Sequence, residues 1–222
     1  MNAEEVILLG AGGGTRELIA LVRHASALPG YKACWNLRGI LDDNPELAGT
    51  NVLGVPVLGT LADASRFNQA KFALGIANPR NPSIRVRIAA RIDLPAERWA
   101  TFIHPNAIVL DGAEVGAGAI IYPGATISSA VQFGAHSLAY FGAVVHHDSI
   151  VGNGCCLCAG VLVAGFVRIG DGCYLGIGSQ VRDGLVIGDG ALIGMGAAVV
   201  HDVPPGQIVG GVPARVLRNL PA

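Results

Sequence analysis

His146-His147-Asp148 is the sharpest chemical feature of this 222-residue sequence. A neutral imidazole accepts a proton near neutral pH, and an adjacent carboxylate can orient the ring and stabilise the imidazolium that forms. The pair suits general-base catalysis on an amine or hydroxyl; the triplet equally suits a solvated corner without chemistry. Gly10-Ala11-Gly12-Gly13-Gly14-Thr15 stands between an apolar run and a helical pattern. There the N–H groups of a helix start can face a phosphate. As a dinucleotide fingerprint the loop is incomplete, since G-x-G-x-x ends in Thr15, and a ligand-free turn is the alternative. Asp42-Asp43 before Asn44-Pro45 reads by itself as a solvated turn. Cys155-Cys156-Leu157-Cys158 fits no standard zinc spacing, so no metal is expected.

Two kinds of chain must position these residues. Residues 1–103 alternate strand and helix patterns: apolar Val6–Leu9, a helical run over 15–28 closed by Pro29-Gly30, apolar Leu37–Leu41, Val52–Leu58 and Phe72–Ile76, a helix over Pro82–Ile92, and Trp99–Ile103 at the end. That order implies a small parallel sheet with helices on its faces. Residues 107–202 divide without a gap into sixteen hexads, from AIVLDG to AAVVHD. The third position is apolar in all sixteen and the sixth is Gly in eleven. Neither a strand period of two nor a helical 3.6 produces a strict six. The pattern is that of a β-solenoid, with one short strand and one turn per hexad and three hexads per coil. Third positions stack inward, and turn glycines take angles that a Cβ resists. Residues 18 apart share a position, so His147 and Gly165 fall on one corner, and Cys155 and Cys173 should stack at a spacing that permits a disulfide, with two small reduced core residues the expectation. Val203-Pro204-Pro205-Gly206 breaks the repeat, so 203–222 should cap it.

Composition narrows the class. The net charge of −1 argues against a phosphate-tracking nucleic-acid binder. With 51% hydrophobic residues the chain is not disordered, yet no apolar run reaches the roughly 20 residues of a membrane helix. Met1-Asn2-Ala3-Glu4-Glu5 lacks a basic signal-peptide start, and five cysteines (34, 155, 156, 158, 173) then suggest reduced thiols in the cytoplasm. His104, His136 and His201 have no evident partner.

The hexads, with their aliphatic–Gly–x–x–small–x pattern, resemble those of the hexapeptide-repeat acyltransferases. Gly210-Gly211-Val212-Pro213-Ala214-Arg215 is similar to the G-x-P-A-[KR] ending common there. VILLGAGGGTRELIALV at the start, followed by VVHHDSIVGNG in the solenoid, narrows the resemblance to the sugar O-/N-acyltransferases of the sialic acid O-acetyltransferase type. These include bacterial enzymes that acetylate nucleotide-linked amino sugars. The resemblance implies a Rossmann-like nucleotide-sugar domain over 1–103 and a left-handed parallel β-helix over 104–222. It also implies a homotrimer with acetyl-CoA in the cleft between neighbouring helices.

The same resemblance implies residue roles. His147 aligns with the general base and Asp148 with its supporting acid. Gly165 matches a glycine whose N–H meets the thioester carbonyl. Ile177 and Met195 fall on acetyl-CoA-lining positions, as does Cys156, which stands where close relatives have a second His. Arg215 would face a CoA phosphate. Gly12, Gly13 and Gly14 fall on sugar-nucleotide positions, with Gly14 in place of a His. Asp42-Asp43 matches an acidic pair near the nucleotide, and Ala77-Asn78 matches a Gly-Asn pair. The expected function is acetyl-CoA-dependent N-acetylation of a nucleotide-linked amino sugar. A sugar O-acetyltransferase and a non-catalytic β-helix scaffold are the alternatives, and the incomplete fingerprint disfavours a NAD-binding domain.

Overall fold

The computed structural model describes residues 3–31 and 35–219. The N-terminal part is a five-stranded sheet built from β1 (Glu4–Leu9), β2 (Trp35–Leu41), β3 (Asn51–Val52), β4 (Val55–Gly59) and β5 (Lys71–Leu74), in the order β3-β4-β2-β1-β5. Val6, Ile7, Leu8 and Leu9 are all fully buried, as expected of a central parallel strand covered on both faces. Helix α1 (Gly13–Ser26) buries Leu18, Ile19, Leu21, Val22 and Ala25, and α2 (Ile84–Ile92) follows β5. The stretch 52–58, read as one apolar run, is instead an antiparallel hairpin. Leu53 and Gly54 both take positive φ, 49° and 80°, which suits a tight two-residue turn.

From Phe102 onward the chain winds into coils. Each hexad contributes a two-residue strand at its second and third positions, paired in parallel with the strand 18 residues on, as Val145 with Val163 and Val163 with Val181. Three flat faces result. The first carries 108–109, 126–127, 144–145, 162–163, 180–181 and 198–199. The second carries 114–115 to 186–187. The third carries 102–103 to 192–193 and is extended by Gln207–Gly210, against which Arg215–Asn219 returns antiparallel as a cap. Residues 220–222 of the expected cap lie outside the described residues. Third-position residues such as Ile127, Val145, Val163, Val181 and Val199 are buried in the coil interior.

The winding starts one hexad earlier than the repeat in the sequence. Phe102 and Ile103 pair with Ile120 and Ile121 as the first rung of the third face. The pattern hides this rung because its burial is inverted. Phe102 points outward and is buried against Trp35 of the sheet, ring centroids 5.1 Å apart, while Ile103 is 39% exposed at the uncovered bottom of the solenoid.

Turn geometry follows the sixth position. Where it is Gly, φ is positive, as at Gly142 (64°), Gly160 (67°) and Gly184 (69°). Ala130, His136, Asp148 and Phe166 occupy the same slot at φ 56°, 59°, 58° and 60°, a conformation uncommon for residues with a Cβ and a genuine outlier for a bulky one. Three of the four, Ala130, Asp148 and Phe166, stack on one corner in successive coils. First positions form polar rungs: Ser137 Oγ, Cys155 Sγ and Cys173 Sγ donate to the carbonyls of Gly152, Gly170 and Gly188 at 2.7, 3.0 and 3.1 Å. Cys155, Cys156, Cys158 and Cys173 are buried free thiols; Cys34 lies outside the described residues.

The sheet docks on the third face and its edge with the second. Ser83, Arg85 and Val86, at the start of α2, lie against Gly154 and Gly172. Arg85 is 1% exposed and ties the two parts together: Nε donates to His136 O at 2.6 Å, and Nη1 to Leu74 O and Ile76 O at 3.0 and 2.7 Å. Two histidines left unpaired in the sequence find partners at this junction. His104 Nε2 lies 3.0 Å from His24 Nδ1 on α1, and the His136 ring stands edge-on to Trp99 with centroids 4.4 Å apart. His201 is exposed.

Candidate active site

His147 sits in the turn between the first and second faces, half exposed, with Nδ1 2.8 Å from Asp148 Oδ2. A carboxylate only accepts, so Nδ1 carries the proton, and in the neutral ring Nε2 keeps its lone pair. The corner is fixed from beneath. Ser149 Oγ donates to Ala164 O at 2.9 Å and accepts from Val167 N at 3.1 Å, and Phe166 N donates to His147 O at 3.1 Å. Gly165, one coil on, lies directly against the imidazole. A Cβ there would stand 2.9 Å from His147 Cε1 and 3.0 Å from Nε2. Among the described residues the Gly165 N–H has no backbone acceptor. The structure thus brings His147, Asp148 and Gly165 together. His146 is exposed and lines a shallow groove on the first face with Leu162, Gln180 and Arg182.

The glycine loop lies elsewhere, between β1 and α1. Gly12 is the N-cap of α1 and offers no side chain to the free N–H groups of the first turn. A Cβ on Gly12 or Gly13 would meet nothing within 4 Å, so open space lies before both. Gly14 differs: a Cβ would stand 2.7 Å from Gly75 O, which explains why no His side chain occupies the position. Thr15 closes the same approach, its hydroxyl reaching Gly10 O and, at 3.2 Å, Gly75 O.

Both aspartates are engaged by the protein itself. Asp42 Oδ2 accepts from Ala11 N at 2.6 Å and Oδ1 from Asn44 N at 2.8 Å, which fastens the glycine loop to the end of β2. Asp43 accepts from Leu61 N and pairs with Arg91. Desolvation pushes its carboxyl upward, but Arg91 and the Leu61 N–H outweigh that and hold it below the ordinary carboxylate range. Ala77 is half-buried beyond β5.

The remaining expected positions separate by exposure. Ile177 (58% exposed) and Met195 (76%) project from the corner between the third and first faces. Cys156 is 2% exposed and is turned to Cys158, Sγ to Sγ 3.9 Å, so its thiol is covered instead of fronting solvent. That hydrogen bond and burial push the Cys156 thiol well up. Arg215 is exposed, its guanidinium donating to Ala214 O at 3.0 Å. Among the described residues no three His, Cys, Asp or Glu side chains group as a metal would require, and no helix is long and apolar enough to cross a membrane.

Three residues join these sites that sequence reading passed over. The Phe166 ring stands edge-to-face on His147, centroids 5.2 Å apart and planes at 88°. Its one sequence signal is a bulky residue in a slot that usually holds Gly. Glu17, in the second turn of α1, and Tyr140, just past Ala139 on the third face, lie by the same loop, and a Cβ on Gly14 would lie 3.9 Å from the Tyr140 hydroxyl. Partial burial raises the Glu17 carboxyl above its usual value, and the neighbouring Tyr140 hydroxyl offsets part of this.

A family model described as bacterial transferase hexapeptide (six repeats) matches residues 166–201. No curated protein sequence matches the chain significantly. Solved structures similar along the whole chain include a histidine-to-asparagine mutant of perosamine N-acetyltransferase from Caulobacter crescentus in complex with CoA and GDP-perosamine. It is 25% identical, with 98% of this chain and 99% of that chain covered and a TM-score of 0.81. The acetyltransferase domain of PglB from Neisseria gonorrhoeae FA1090, in complex with acetyl coenzyme A, is 26% identical over 97% of this chain and 100% of that chain, TM-score 0.79. WeeI from Acinetobacter baumannii AYE is 27% identical over 97% and 100%, TM-score 0.80. The chain thus carries a repeat of the bacterial hexapeptide transferase type over 166–201 and is similar along its whole length to these acetyltransferase structures.

Proposed function

We propose that the protein transfers the acetyl group of acetyl-CoA to the amine of a nucleotide-linked amino sugar. The observation that carries this reading is the His147–Asp148 pair at 2.8 Å, with its free Nε2 set against Gly165. The amine nitrogen attacks the thioester carbonyl, a C–N bond forms and the C–S bond breaks. His147 Nε2 takes the proton the amine sheds and returns it to the leaving thiolate. The Gly165 N–H faces the oxyanion that develops. Asp148 keeps the imidazole in the required tautomer. Support comes from the similar structures, whose CoA, acetyl coenzyme A and GDP-perosamine are the donor and acceptor types in question.

In this reading residues 1–103 form a Rossmann-like domain that holds the sugar nucleotide through Gly12, Gly13, Gly14 and Ala77, with Asp42 and Asp43 shaping its rim. Glu17 and Tyr140 join the acceptor side. Residues 104–222 form a left-handed β-helix. His147 lies at the corner opposite the third face, on which the sheet docks, so the acceptor half and the base half of one chain point apart. A homotrimer resolves this: the His147 corner of one copy meets the Ile177 and Met195 corner of the next, and acetyl-CoA lies between them. The reaction belongs to the cytoplasm, where acetyl-CoA and sugar nucleotides are made.

The direct test is acetyl-CoA turnover against UDP- and GDP-linked 4-amino sugars, with products weighed by mass spectrometry. One acetyl group gained on one member, lost in H147A by at least ~10²-fold, is the expected result. Alkali-labile ester products would instead assign a hydroxyl acceptor. Near-normal turnover in H147A would remove His147 from the role.

A further inference from the structure

We infer that Phe166 is a positioning residue for the base: its ring, held in place by a left-handed backbone, fixes the orientation of the His147 imidazole. The inference rests on the assignment of His147 above. Phe166 occupies a slot that holds Gly in eleven of the sixteen hexads, and Gly meets the positive φ of that turn without strain. A phenylalanine at φ 60° does not. Core burial does not account for it, since the residue is 59% exposed. Its ring contact is His147, at 5.2 Å and 88°, the edge-to-face geometry that aromatic rings favour.

Three neighbours then define the imidazole. Asp148 takes Nδ1–H, Gly165 leaves room for the ring plane against the next coil, and Phe166 stands against its side. The Phe166 N–H also donates to His147 O, so the turn that carries the ring is tied to the residue it orients. Asp148 is itself at φ 58° in the same slot one coil earlier. Both residues that contact the imidazole ring side by side are thus held in the conformation this corner imposes on non-glycine residues. Backbone strain concentrated at a functional corner is a recurrent arrangement.

The test compares F166G, F166A and F166Y in the intact protein. Steady-state kinetics are measured with acetyl-CoA and the accepted amino sugar, and the His147 ring nitrogens are followed by nitrogen-15 NMR. F166G relieves the strain and removes the ring, so its Tm holds or rises by about 2–4 °C while kcat falls about tenfold. The KM values for both substrates stay within twofold. F166A loses the same kcat without the gain in Tm, and F166Y recovers most of kcat. In the wild type the His147 Nδ1–H held by Asp148 gives one sharp signal; in F166G, where the ring can turn away from Asp148, that signal broadens or is lost. Unchanged kcat in F166G, or an equally sharp Nδ1–H signal retained there, overturns the inference. So does a rise in the KM for acetyl-CoA at constant kcat, because the ring would then be a wall of the donor site. The Nδ1–H signal needs no turnover, so it still decides the role of Phe166 if H147A shows that His147 is not the base.

Discussion

Gly165 and His147 are one coil apart in the chain and in van der Waals contact in space: a methyl group on Gly165 would stand 2.9 Å from the imidazole Cε1. The nearest atoms belong to a half-exposed side chain that can swing away, so the cost of G165A falls on geometry more than on stability. We expect G165A to keep Tm within about 2 °C and to lose at least tenfold in kcat as the ring is displaced. Calorimetry and single-turnover kinetics check the two halves separately; a large drop in Tm with normal kcat would show that the glycine serves only the coil.

Asp148 combines two demands, a positive φ and a carboxylate at Nδ1. Asparagine tolerates the backbone about as well, yet its amide can present either an acceptor or a donor to the ring. D148N should therefore fold normally and lose roughly 10²-fold or more in kcat, while D148A should also lose stability. Equal kcat in D148N and wild type would mean that the carboxylate does not set the tautomer.

Glu17 bears on the choice of acceptor. Its carboxylate neighbours the Tyr140 hydroxyl and lies one turn along α1 from the open glycine loop. If an amine docks there, E17Q should raise the acceptor KM about tenfold and leave the acetyl-CoA KM unchanged. Isothermal titration with the amino-sugar nucleotide gives the same answer without turnover.

Acid stability follows from the sheet–solenoid junction. Burial, and then the nearby Arg85 charge, depress His136 to about 4 in the folded chain, and burial and His24 depress His104. An unfolded histidine titrates near 6.5. The folded state thus binds fewer protons below that pH, and the stabilisation is complete above about 6.5 and is lost as pH falls toward 4. Denaturant midpoints should decline across this window. H136N, in which Asn accepts the positive φ of 59°, should flatten the decline; an unaltered slope would assign the acid sensitivity elsewhere.

Much of this was readable in the sequence because hexad spacing is a direct image of coil geometry. Once the period is six, the corner shared by His147 and Gly165 follows by counting 18. The first rung was not readable, since Phe102 borrows its burial from Trp35 and Ile103 has no coil beneath it. The Cys156 environment was hidden for a similar reason: its thiol is turned to Cys158 in the same hexad, a contact that the repeat positions do not encode. Arg85 carried no spacing signal within the 82–92 helix, yet its guanidinium binds carbonyls from both parts of the chain. Repeats reveal contacts at fixed offsets; contacts between a repeat and a non-repeating domain have no offset to reveal them.

The docking of the sheet on the face opposite the His147 corner has a genetic consequence. Two alleles, one lacking His147 and the other with its glycine loop destroyed, should each be inactive alone. In the proposed homotrimer the two products, expressed in the same cell, would co-assemble, and a mixed ring would contain a seam where an intact imidazole from one allele meets an intact loop from the other. Activity should therefore reappear in the mixture, at a fraction set by the subunit ratio, and it should vanish when the two alleles are joined in one polypeptide copy.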